Sequence, residues 1–121
     1  MKAIKTVAVL LFMGCLFFSP NVQAQDPMAV GKMYKKVLLD NDLVRVMQVV
    51  FAPGEVMPMH SHPAHTIYVV SGGTLEITAQ GQQPVVMEAK AGDVIWMDPV
   101  THTGKNIGKT TIKLIVTELK K

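Results

Sequence analysis

Three of the four histidines in this 121-residue chain fall within residues 60–65, as His60, His62 and His65. The fourth, His102, stands far downstream in Asp98-Pro99-Val100-Thr101-His102. Imidazole is the commonest metal ligand in proteins, and a local cluster joined by one distant member is how a folded domain assembles a metal centre. If Val56 to His62 is a strand, alternate side chains share a face and stand about 7 Å apart along it. His60 and His62 then point the same way, and their rings can converge on one ion at about 2.0–2.1 Å. The same parity sends Met57, Met59 and Ser61 to the opposite face, which argues against a thioether–copper centre. Pro63-Ala64 bends the chain, so that His65 opens the next strand and can fold back toward the pair. His102 is expected to complete the set from a distant loop. The competing reading is structural: histidines spaced by two can be hydrogen-bonded side chains, and one beside a turn can face solvent. Imidazole ligands suit a divalent transition metal such as iron, zinc, nickel, copper or manganese better than magnesium or calcium.

The segment ahead of this cluster has a different job. Lys2 and Lys5 form a basic start, Val7 to Phe18 is an almost unbroken apolar run, and Val22-Gln23-Ala24 offers small or aliphatic residues before a cleavage point. That is the layout of a secretory signal peptide over residues 1–24. The run is shorter than the roughly 20 residues a membrane-spanning helix needs. A lipoprotein signal centred on Cys15 fits less well, because Leu16-Phe17-Phe18 continues the apolar run. Secretion or export to a periplasm is expected, with no membrane association after cleavage. The single cysteine, Cys15, leaves with the signal, so no disulfide framework is available. Loss of Lys2 and Lys5 lowers the formal charge from +3 to about +1, and the remaining lysines are scattered. Nothing there favours nucleic acid or a membrane surface as partner. A domain this small gains from a metal, a dimer interface, or both, and a homodimer is expected.

From Lys36 onward the chain reads as short strands between turn signals. Val37 to Leu39 precedes Asp40-Asn41-Asp42, and Leu43 to Ala52 ends at Pro53-Gly54. Val56 to His62, Thr66 to Ser71 and Thr74 to Ala79 follow, then Val85 to Met87, Asp93 to Met97 and Thr110 to Leu119. Eight or nine strands at roughly ten-residue intervals, without helical periodicity, predict an all-β sandwich or barrel. Residues 25–35 are expected as an irregular N-terminal arm, and residues 36–121 as one domain.

Gly54-x5-His60-x-His62, followed by His65-Thr66-Ile67-Tyr68-Val69-Val70-Ser71-Gly72, resembles the first motif of the cupin superfamily, Gly-x5-His-x-His-x3-4-Glu-x6-Gly. Gly92 to Asn106, with His102-x3-Asn106 intact, resembles the second, Gly-x5-Pro-x-Gly-x2-His-x3-Asn. The resemblance covers about Asp40 to Leu119 and is to small single-domain bacterial cupins. It implies a double-stranded β-helix, or jelly roll, with an ion inside the barrel, and carries His60, His62 and His102 over as ligands, with His65 as a fourth. Two departures stand out. Counting back from Gly72 places the family's glutamate at His65, and the loop before His102 is one residue short and lacks its glycine. With imidazole alone around it, nothing anionic offsets the charge of the ion, which should then attract an anionic or enolisable oxygen donor.

Three functional readings follow. The first is a metal-dependent enzyme, a dioxygenase or an isomerase or lyase, which needs open metal positions and a dry pocket lined by residues such as Ile67, Val69 and Trp96. No acid–base pair is evident: Glu55 lies on a turn, and Glu76 and Tyr68 have outward parity, although Asp98 can orient the ring of His102. The second is a non-catalytic module that binds a metal or small ligand as sensor, scavenger or store. In the third the ion only stabilises the barrel. One fold hosts many chemistries, so the site must decide.

Overall fold

The structure, a computed structural model, describes residues 25–121; the expected signal segment lies outside the described residues. After a four-residue helix α1 (Pro27–Val30), the chain forms β1 (Tyr34–Asp40), β2 (Val44–Phe51), β3 (Val56–His62), β4 (His65–Ser71), β5 (Gly73–Ala79), β6 (Val85–Ala89), β7 (Val94–Met97), β8 (Val100–Asn106) and β9 (Ile112–Leu119). Alternation explains most of these. In β9, Ile112, Leu114, Val116 and Glu118 are buried while Lys113, Ile115 and Thr117 face away. In β4, His65, Ile67 and Val69 are buried against outward Thr66, Tyr68 and Val70. β-Branched residues suit such half-buried pleated positions.

Two antiparallel sheets result, one ordered β1-β2-β9-β4-β7 and the other β3-β8-β5-β6. Their inner faces enclose one core, with Met33, Met47, Val69 and Ile112 fully buried. This is the all-β jelly roll expected above. Two motif glycines serve the turns for different reasons. Gly54 has φ +80°, in the left-handed region that side chains rarely adopt. At Gly72 an added Cβ would come 2.2 Å from the Ala89 carbonyl oxygen, so only glycine fits.

Two local features differ from expectation, and both bear on the site. His102 lies not in a loop but within β8, paired with β3 on one side and β5 on the other. Pro99 just before the strand and Gly104 within it hide its alternation. Residues 25–35 hold more order than an irregular arm: Asp26 Oδ1 caps α1 by accepting from Met28 N at 2.8 Å, and Pro27 opens the helical turn. Beyond it, Val50 N donates to Met33 O at 2.8 Å and Tyr34 pairs with Val49. The arm is thereby fastened to β2, with Met33 and Tyr34 buried.

Candidate metal centre

His60 and His62 share the inner face of β3, as their spacing predicts, and both are buried. His102 is the register partner of His60 across the β3–β8 pair. Directly opposed side chains on one face have Cβ atoms about 4.5–5.5 Å apart, and the two ring centroids stand 4.6 Å apart. One ring nitrogen from each of His60, His62 and His102 lies within 4.8 Å of the others, compact enough for one ion. His65, at the start of β4, is 1% exposed and its ring centroid lies 4.4 Å from that of His62. It stands beside that set rather than within it.

The Met57 parity argument is overturned. A register irregularity between Met57 and His60 inverts the alternation, so Met57 is buried and lines the same cavity as the histidines. A β-bulge of this kind re-aims side chains near functional sites.

Hydrogen bonds select the ring nitrogens that remain available. His60 Nδ1 donates to the Pro58 carbonyl and His65 Nδ1 to the Pro63 carbonyl, each at 2.8 Å. His62 Nδ1 donates to Glu118 Oε2 at 2.7 Å. In each neutral ring the bare lone pair is then on Nε2, the tautomer fixed by its partner as in metal sites generally. Burial, opposed by the Pro58 bond and reinforced by the imidazoles of His62 and His65, pulls the His60 pKa down to about 4. Burial and the neighbouring imidazoles pull His102 down to about 3. His65 is lowered as well, chiefly by burial. The rings of His60 and His102 are therefore neutral, and able to ligate, well below neutral pH.

Two residues that the sequence reading passed over complete the site. Glu118, 3% exposed, occupies the innermost-facing end of the β9 alternation and is the register partner of both Arg45 and His65. Its Oε1 accepts from Arg45 Nε at 2.9 Å and Nη2 at 2.6 Å, and Arg45 Nη1 donates to Asp26 Oδ2 at 2.8 Å. Burial pushes the Glu118 carboxyl up, but the bonds from His62 and Arg45 and the guanidinium charge outweigh it and hold its pKa below the usual carboxylate range. An anion therefore stands behind His62, balanced by Arg45, where none was expected. A glutamate following Ile112, Leu114 and Val116 on one strand face is the signal that marks it. Tyr34 is the second: its hydroxyl lies 3.0 Å from His62 Nε2 and donates to it.

Other expectations are corrected. Asp98 is exposed and accepts from Trp96 Nε1 at 3.1 Å rather than orienting His102. Trp96, 55% exposed, faces outward, whereas Ile67 and Val69 do line the cavity. Asn106 is fully buried away from the ring cluster, its Nδ2 donating to Phe51 O and Thr110 O at 2.8 Å each. It ties the β8–β9 connection together.

The residues present fit a transition metal. The donors are buried neutral imidazoles, the ligand type such ions favour, and His102 Nδ1 is a buried nitrogen without a hydrogen-bond partner among the described residues. The cavity they face is lined on its far side by apolar groups including Met33, Met87, Met97 and Leu75. Its volume is about 60 Å³, on a measure by which one water takes about 10–15 Å³. An ion with a few waters or a small organic molecule fills it.

Among solved structures, a cupin domain from Bordetella pertussis Tohama I is 23% identical, with a TM-score of 0.66 over 71% of this chain and 91% of that one. An RmlC-like cupin from Methanocaldococcus jannaschii with a double-stranded β-helix fold is 21% identical, with a TM-score of 0.59 over 70% of this chain and 77% of that one. A cupin-like protein from Thermotoga maritima MSB8 is 26% identical, with a TM-score of 0.55 over 69% and 65%. No curated protein matches the sequence. The family model described as a cupin domain matches residues 47–118, more than half of the sequence, and the chain belongs to that family.

Proposed function

We propose that this protein is an exported metal-dependent cupin whose His60, His62 and His102 hold a divalent transition metal and whose cavity takes a small anionic or enolisable molecule for a dioxygenase- or isomerase-type reaction. The observation that carries the reading is the compact set of three buried imidazoles opening on an apolar cavity. When bound, the ion supplies Lewis-acid or redox chemistry to an oxygen donor. The chain's own residues do the rest. Glu118 and the Pro58 carbonyl fix the tautomers of His62 and His60. The methionine and aliphatic wall lowers the local polarity, which strengthens electrostatic interactions inside.

A second reading, a non-catalytic metal or small-ligand binder, is favoured by one specific observation. Among the described residues no aspartate or glutamate lines the cavity, and Glu118 is already committed to Arg45 and His62. Metal analysis of the processed protein, purified without affinity histidines, is the first test, alongside the His60→Ala/His62→Ala double variant. Near-stoichiometric metal in the first and none in the second supports the centre; no metal, and no uptake on reconstitution, ends both readings. Dioxygen uptake or isomer formation with a panel of small carboxylates and β-dicarbonyls then separates enzyme from binder.

Export and self-association belong to the same proposal. The layout of residues 1–24 supports the first, and mass measurement of the exported fraction tests it: a chain beginning before Gln25 counts against cleavage there. Outward Tyr68, Val94 and Trp96, which share neighbouring positions on β4 and β7, support a homodimer. Sedimentation of Trp96→Glu beside the parent protein tests it, since a parent that is monomeric at micromolar concentration removes the idea.

A further inference from the structure

His62 has one ring nitrogen left for an ion, because Nδ1 is held by Glu118. That nitrogen, Nε2, already has the Tyr34 hydroxyl 3.0 Å away. Any ion taken up by His62 Nε2 therefore arrives beside a phenolic oxygen. The separation itself is informative. Two donors each about 2.1 Å from one ion and at right angles to one another are about 3.0 Å apart.

Tyr34 cannot readily move aside. It is 9% exposed, its backbone N donates to Gly31 O at 3.0 Å, and it pairs with Val49 across β1 and β2. The preceding Met33 is fully buried and accepts from Val50 N. The ring packs against both histidines of β3, with centroids 6.2 Å from His60 and 5.9 Å from His62. Its hydroxyl has no other hydrogen-bond partner among the described residues. Once the His62 lone pair goes to an ion, the oxygen loses that partner while still buried, and buried polar groups are rarely left unpaired. Among the described residues, no carboxylate lines the cavity to offset the ionic charge.

We propose that Tyr34 supplies a fourth ligand to this metal centre through its phenolic oxygen, making it a three-imidazole, one-phenolate site. The proposal rests on the metal-binding reading above. On coordination the metal–oxygen bond replaces the O–H bond, the proton passes to solvent, and no electrons are exchanged. The ligand comes from the N-terminal arm, outside the stretch that carries the two histidine motifs.

The chain offers an internal control, since it has two tyrosines and the other, Tyr68, is 47% exposed on the outer face. The processed protein is loaded with ferric or cupric ion, its metal content measured, and its visible absorption and resonance Raman spectra recorded. A phenolate ligand gives a visible charge-transfer band whose Raman excitation enhances tyrosine ring modes. The expected result is that band in the parent protein and in Tyr68→Phe, and its loss in Tyr34→Phe at equal metal content. Bound metal with no such band in the parent, or a band unchanged in Tyr34→Phe, overturns the assignment while leaving the histidine site standing. Absence of bound metal in the parent overturns the histidine site and this assignment together. The parent Raman spectrum decides the point even if Tyr34→Phe does not fold.

Discussion

Glu118 Oε2 accepts the Nδ1 proton of His62 at 2.7 Å while Oε1 of the same carboxylate holds Arg45, so one side chain joins the candidate metal centre to the guanidinium on the neighbouring strand β2. The carboxylate is 4% exposed at its side chain and Arg45 is 18% exposed, so solvent screens this link poorly. Its chemical effect is to hold His62 in the tautomer that offers Nε2.

Replacing Glu118 by glutamine keeps the shape but removes the charge and weakens that tautomer preference. Loss of a partner behind a ligating histidine costs about 10–100-fold in metal affinity. Competition titration against a chromophoric chelator should show a drop of that size in Glu118→Gln, with His60 and His102 still present to bind. An unchanged affinity would mean that His62 does not ligate or does not need its partner.

Asn106 belongs to the second histidine motif yet makes only structural bonds. Asn106→Ala removes the donor to the Thr110 carbonyl and to the buried Phe51 carbonyl, and a buried acceptor without a partner costs about 1–3 kcal/mol. For a domain of this size each kcal/mol lowers the melting temperature by about 4–8 °C. Thermal denaturation should show that fall while metal content per folded molecule stays at the parent value. Loss of metal from a protein that melts normally would instead place Asn106 in the site.

The pH dependence of the metal-free protein has a definite sign. His60 and His102 have folded pKa values of about 4 and about 3, below the ordinary 6.5 that they regain on unfolding. Below pH 6.5 the unfolded chain therefore binds protons that the folded chain does not, and stability falls as the pH falls. The loss starts near pH 6.5 and continues to about 3, the lower of the two folded values. Glu118, with a folded pKa below its usual 4.5, adds to the loss only at the acid end of that window. Melting temperatures of chelator-treated protein between pH 7 and pH 5 should decline steadily, and His60→Ala should flatten the decline. A melting temperature constant over that range would show that these rings are not buried and neutral.

Much of this molecule follows from local pattern. Period-two alternation in Ile112 to Glu118 and in His65 to Val69 makes strands with one buried face, and a spacing of two puts His60 and His62 on the same side of β3. Those facts need only strand geometry, which is why an all-β sandwich or barrel and the His60/His62 pair of the candidate metal centre were legible in local pattern. The jelly roll was implied by the resemblance of the two histidine motifs. What the sequence left undecided depends on register and long-range pairing. His102 meets His60 because β8 lies beside β3, and no local signal states which strands become neighbours. Met57 turns inward because of an irregularity in that same pairing, which breaks the parity that the sequence implies. Tyr34 and Glu118 come from opposite ends of the described chain, and they meet at His62 only because β1 follows the edge of β2 while β9 fills the middle of the sheet. Side-chain period sets which face a residue takes; only the closed sheets decide what it faces.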